Sequence, residues 1–222
     1  ACLAMAISAA AWGLIGSAQD HIAQPDAPGL IHIFDGTTSS MRDNWTQAKK
    51  AAQWKIADSA MTATKGDITS KESYSDFQLH VEFRVPLMPD KKGQARGNSG
   101  VFLQGRYEIQ ILDSYGFKEP GTGDCGAVYH QAAPLVNACR PPMEWQTYDI
   151  SYRAARLDPS SHALIEPPRV TVIQNGLVVQ NDQVIKGPTH TTKPANPTVA
   201  TADRTSTAPP SPTPDQSPPG PI

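Results

Sequence analysis

Gly97-Asn98-Ser99-Gly100-Val101-Phe102-Leu103-Gln104-Gly105-Arg106-Tyr107-Glu108-Ile109-Gln110-Ile111-Leu112-Asp113-Ser114 reads as two short strands around a tight turn at Gln104-Gly105-Arg106. β-branched and aromatic residues fill both sides, and glycines mark the ends. Side chains alternate along a strand, so Glu108 and Gln110 share one face while Tyr107, Ile109, Ile111 and Asp113 share the other. A strand that repeatedly sets acid and amide groups among apolar ones must solvate them or use them. The plain reading is an antiparallel sheet with one wet face. The sharper reading, which the rest of the chain favours, is a concave face that binds a ligand.

The same alternation recurs outward from this hairpin. Phe77, Leu79, Val81, Phe83 and Val85 fall on one side of a strand and Gln78, His80, Glu82 and Arg84 on the other. Trp145–Tyr152 alternates again. Arg169–Gln174 and Leu177–Gln180 flank Asn175-Gly176, a pair suited to the positive φ values of a type I′ hairpin turn. Shorter strands are expected at 31–36, 54–58 and 60–63, and one helical turn or a loop at 42–50, with Trp45 and Trp54 as packing anchors. No amphipathic helix of useful length appears, and turn signals recur at the intervals of a sandwich. The fold class is all-β.

The 222 residues suit one domain with appendages. A net charge of -2 and a pI near 6.3 leave no electrostatic footprint for nucleic acid. Residues 1–18 are apolar, uncharged and rich in small side chains, and they read as the remainder of a secretory signal peptide. The competing reading, a membrane anchor, suffers from a run short for a span. The mature protein is therefore expected to be secreted or periplasmic, without a membrane span. Nine of the 21 prolines lie in 189–222, which has no aromatic residue, and the segment is expected to be disordered. The sandwich domain is left with residues 19–188. Cys2 would leave with the leader. Cys125 and Cys139 then remain either as a disulfide or as two buried thiols. No second close-spaced Cys or His set completes a zinc site. No nucleophile elbow, phosphate loop or dinucleotide fingerprint occurs.

Three segments together resemble the 3-keto-disaccharide hydrolase family: Gly97–Leu103, Tyr107–Ser114 and Trp145–Ile150. Asp67–Lys71, Phe77–Arg84 and Cys125–Tyr129 match its pattern as well. The resemblance covers roughly residues 30–188. It implies a concanavalin-A-like jelly-roll sandwich and an exported enzyme cleaving glycosides whose glucose ring carries a ketone at carbon 3. Relatives continue past a Gly-Pro-Ile like Gly220-Pro221-Ile222 into a last strand, and this chain is expected to lack it.

Cleavage of such a substrate, by elimination and hydration or by two-carboxylate displacement, requires acids on the ligand-binding face. Glu108 and Glu82 are the expected pair, each weighed against an ordinary place on a wet face. Gln110, Gln104 and Asn98 are expected to hydrogen-bond sugar hydroxyls, and Arg96 to stabilise an enolate. Tyr129 and His130 follow as substrate contacts, although a single His is more often structural. Trp145 is either core or a stacking platform. Asp113 is read as capping its loop. No cofactor is called for; a divalent cation stays open, with Asp113 and nearby carbonyls as its place. The partner is a carbohydrate. The alternative of another class is a non-catalytic carbohydrate-binding module on the same fold, since fold does not decide function.

Overall fold

The structure is a computed structural model that describes residues 4–7, 30–64, 66–189 and 220–221. In chain order the first elements are β1 (Ala4–Ile7), α1 (Thr38–Asn44), β2 (Trp45–Gln47), β3 (Lys50–Ala51), β4 (Lys55–Ala57) and β5 (Ala60–Thr62). Then come β6 (Thr69–Ser70), β7 (Ser73–Tyr74), β8 (Phe77–Arg84), β9 (Ser99–Leu103) and β10 (Tyr107–Ile111). The last are β11 (Gln146–Arg153), β12 (Arg156–Leu157), β13 (Leu164–Glu166), β14 (Arg169–Gln174), β15 (Leu177–Val184) and β16 (Gly220–Pro221). A seven-stranded antiparallel sheet runs β15-β14-β11-β8-β1-β5-β4, and the β9–β10 hairpin packs over it.

This is the all-β antiparallel sandwich read from the alternation, and the reason is visible residue by residue. On β8, Leu79, Val81 and Phe83 are buried, and on β11 Tyr148, Ile150 and Tyr152 stand beside them. Their rings meet the opposite layer through Tyr107, whose centroid lies 6.1 Å from that of Tyr152. Tyr148 also donates from its hydroxyl to the Gln110 carbonyl at 2.6 Å. One apolar cluster thus joins Val101, Leu103, Tyr107, Ile109 and Ile111 to the large sheet.

The turns follow their chemistry. Gln104 and Gly105 have φ of 52° and 66° at the β9–β10 turn, and Asn175-Gly176 has 51° and 83° between β14 and β15. The expected strand at 31–36 does not form. The Ile33 carbonyl is taken by Trp45 Nε1 at 2.7 Å and Asn44 Nδ2 at 3.2 Å, so side chains satisfy it in place of a ladder. Asp35 Oδ1 then accepts from the Thr37 amide, which starts α1.

Within the leader-like run, Ala4–Ile7 pairs with both β5 and β8; the rest of 1–18 lies outside the described residues. The same is true of most of 189–222. Thr189 is described, as is β16, which pairs with β7.

Candidate active site

Strand β10 carries the site. All five of its residues are buried, but on two different sides. Tyr107, Ile109 and Ile111 enter the core, so Glu108 and Gln110 point away from it, onto the outer face of the hairpin. Phe102 and Gly100, cross-strand partners of Glu108 and Gln110, share that face. The far edge of β10 is closed by a loop: Gln110 N donates to the Ala127 carbonyl, Gly126 N to the Gln110 carbonyl and Tyr129 N to the Glu108 carbonyl, all near 3.0 Å. The Ile109–Val128 bridge sets the register, which places Tyr129 directly across from Glu108 on the same face. Thr189 Oγ1 accepts from the Glu108 amide at 2.8 Å.

Glu108 is 7% exposed. Burial, with a smaller contribution from the negative charge of Asp67, pushes its carboxyl up to about 7. Room for it comes from Gly100. A Cβ on Gly100 would stand 2.3 Å from Glu108 Oε1 and 2.7 Å from its Cγ. The carboxylic side chain therefore lies flat over a bare stretch of β9, as a glycine inside a strand often signals.

Beside it Gln110 is held from three directions. Its Nε2 donates to Gln94 Oε1 at 3.0 Å and to the Gly123 carbonyl at 3.3 Å, and its Oε1 accepts from the Ile111 amide. Gln94 in turn donates to the Gly123 carbonyl and accepts from Asn98 Nδ2 at 3.0 Å. An acid that can hold or release a proton near neutral pH thus adjoins a row of fixed amides. The acid can move a proton, whereas Gln110, buried and with its amide already bonded on every side, braces this face and does not meet the expected sugar hydroxyl.

The structure brings Glu108, Gln110, Asn98 and Tyr129 to one side of the hairpin. The other expected residues are elsewhere or otherwise engaged. Glu82 is not beside Glu108: its neighbours Val81 and Phe83 fill the core, so it projects from the opposite face of the sandwich. The expectation of a Glu108–Glu82 pair is corrected by that geometry, because the core lies between them. Glu82 faces His80, which also binds Asp149. Arg96 is committed to Asp113, through an ion pair at 3.0 Å and two bonds to the Asp113 carbonyl. It fastens the 93–98 loop to the end of β10. Asp113 also accepts from the Tyr115 amide, the capping role read from the sequence. With Arg96 already on its carboxylate, Asp113 does not fit a divalent cation. Gln104 is inside the sandwich, donating to the Tyr74 carbonyl and accepting from Tyr152, so it is a structural turn residue rather than a sugar contact. His130, at φ 58°, is exposed and its ring lies tilted against that of Tyr129, with centroids 4.0 Å apart. Trp145 sits under the Arg84 guanidinium, 5.1 Å from the ring centroid. Arg84 shares the outward side of β8 with Glu82, so Trp145 belongs to that face.

Three contributors escaped the sequence reading: Gln94, Gly100 and Asp67. Gly100 could have been found as a glycine interrupting a strand. Gln94 lies in a single 3-10 turn, Gly93–Ala95, and Asp67 in an irregular segment, and neither is long enough for a periodicity to say which way a side chain points.

The His80 cluster makes a separate prediction. Its hydrogen bond to Asp149, then the one to Glu82, raise the imidazole to about 9, above its ordinary 6.5. A raised folded-state value means the stabilisation is whole below about pH 6.5 and is lost as pH climbs through 9. Thermal melts should show the wild-type protein losing stability over that window and His80→Gln losing less. Parallel curves for the two proteins would refute the assignment.

A family model described as the 3-keto-alpha-glucoside-1,2-lyase-like domain matches residues 29–222. Among solved structures, a Parabacteroides distasonis protein named "putative glycosyl hydrolase" is 43% identical with a TM-score of 0.65. The match covers 71% of this chain and 66% of that one, so this chain spans just under two thirds of that relative's length. Two further P. distasonis structures bear the same name, at 22% and 17% identity and TM-scores of 0.43 and 0.45. The first covers 61% of this chain and 70% of its own, the second 69% and 72%; at those scores neither bears on the site. No protein of curated function matches the sequence.

Proposed function

The chain belongs to the 3-keto-alpha-glucoside-1,2-lyase-like domain family, and from that membership we propose that it cleaves 3-keto-glucosides, with Glu108 as the proton-transferring group. The observation that carries this reading is the buried Glu108 carboxyl, poised at about 7 on a face lined with amides.

A ketone at carbon 3 acidifies the hydrogen on carbon 2. Glu108 as carboxylate removes that proton, and the electron pair becomes an enolate. Collapse of the enolate breaks the bond from carbon 1 to the leaving oxygen, which takes up a proton. Glu108, now protonated, returns the proton to it. Water then adds at carbon 1 of the resulting enone, so the net change is hydrolysis. A carboxyl near 7 serves both directions at neutral pH, because neither form is scarce. The Tyr129 hydroxyl is the donor assigned to the developing enolate oxygen, since Asn98 gives its Nδ2 to the Gln94 carbonyl and Gln94 Oε1. Export belongs to the same reading and rests on the composition of residues 1–18.

The test is incubation with 3-keto-sucrose, 3-keto-trehalose and their unoxidised parents, following release of 3-keto-glucose. Release from the keto substrates alone is expected. Equal cleavage of the parents would sink the keto requirement, and binding without any release would identify a carbohydrate-binding module.

A further inference from the structure

Outside the site, the most unusual polar cluster lies in the core beneath it. Cys125 is 1% exposed and Cys139 partly exposed, and the structure carries both as thiols. The two sulfurs converge on one donor: Gln174 Nε2 lies 3.6 Å from Cys125 Sγ and 3.5 Å from Cys139 Sγ. Gln174 is itself fully buried on β14 and also donates to Gln146 Oε1 at 3.2 Å. A buried N–H aimed at two sulfurs asks both to accept, and a disulfide offers acceptors only.

The backbone on each side is already fixed for the purpose. Cys125 N donates to Ser114 Oγ, and Cys139 N to Asn137 Oδ1. Asn137 holds the Ser114 and Phe117 carbonyls, and Asn175 holds that of Ala138. Closing the bond therefore orders little that is not ordered already. Cys125 also begins the segment that closes the edge of β10 and presents Tyr129 opposite Glu108.

We propose that Cys125 and Cys139 form a reversible disulfide that fastens the segment bearing Tyr129 to the rest of the loop bundle beside β10. The proposal does not depend on the reaction assigned to Glu108. The co-reactant is a low-molecular-mass disulfide. Cys139, the sulfur with solvent contact, loses its proton and attacks that disulfide, releasing one small thiol and leaving a mixed disulfide. Cys125 then attacks the Cys139 sulfur as thiolate, and the second small thiol departs. One disulfide is thus reduced to two thiols as two protein thiols become one disulfide.

The experiment uses the full chain with Cys2→Ser, incubated with oxidised glutathione and then alkylated under denaturing conditions. The tryptic peptide 119–153, which runs through the uncut Arg140–Pro141 bond, holds both cysteines. It is expected to be lighter by two hydrogens and unalkylated, and dithiothreitol should reverse both. Closing a loop of about 15 residues should raise the melting temperature of the oxidised protein by roughly 5–10 °C over the reduced one. Cys139→Ser should show no dependence on reductant. The proposal is overturned by alkylation of both cysteines after that incubation, by a persistent glutathione adduct on either, or by a bond that forms without raising the melting temperature.

Discussion

Replacing Glu108 by Gln is expected to lower kcat for release of 3-keto-glucose by roughly 10²–10⁴-fold, the range a general acid–base contributes, while substrate affinity stays within a few-fold. The amide keeps the shape and the hydrogen-bonding capacity of the side chain but cannot carry the proton. In the wild-type protein, kcat/KM should turn with an apparent pKa near the value of about 7 that burial and Asp67 impose on the carboxyl. Glu108→Gln should remove that inflection. Stability gives an independent check. The folded-state carboxyl binds its proton more tightly than the unfolded one, so the folded state loses stability as pH rises from about 4.5 to 7. The Gln variant escapes this cost and should be the more stable protein above pH 7, by an amount on the order of 2 kcal/mol. A variant with wild-type turnover would remove Glu108 from the chemistry, whatever its melting temperature.

Gly100→Ala should be almost as damaging to turnover, for a reason that involves no chemical group at all. The added Cβ would lie 2.3 Å from Glu108 Oε1, 2.7 Å from Cγ and 2.9 Å from Cδ. Rotating the end of the side chain cannot relieve a clash with Cγ, so the whole carboxyl has to leave its place. Displacements of this size typically cost about 10²-fold in rate. The fold should tolerate the change, because alanine in a strand restricts the unfolded chain more than glycine does. Gly100→Ala combined with Glu108→Gln should then lose little more than Glu108→Gln alone, since both act on one group. Additive losses in the double variant would show that Gly100 acts through something other than Glu108, and a folded Gly100→Ala protein with full activity would end the positioning argument.

Much of the fold was legible because period-two alternation is a local property with a direct physical cause. Leu79, Val81 and Phe83 had to share a face, and that face had to be buried. The Asn175-Gly176 turn was equally local, since few other pairs accept two positive φ values in succession. The strand expected at 31–36 failed because two donors some dozen residues away, Asn44 and Trp45, claimed its carbonyl.

The site was legible in part, and the division follows the same line. Alternation alone put Glu108 and Gln110 on one face of β10, opposite Tyr107 and Ile109. It also put Glu82 on the polar face of β8. What alternation cannot express is which way each sheet turns its polar face once the apolar faces meet. Burying both apolar faces in one core sends Glu82 and Glu108 to opposite sides of the sandwich, and only that packing parts the two acids. Arg96 and Gln104 were read as free to meet a sugar, but partners distant in sequence, Tyr152 for Gln104 and Asp113 for Arg96, had already claimed them. The sequence by itself determined the long strands, their faces and the place of Glu108 on the polar side of its strand. The tertiary structure decided its companions, because contacts between layers depend on chain segments far apart in sequence that no local period relates.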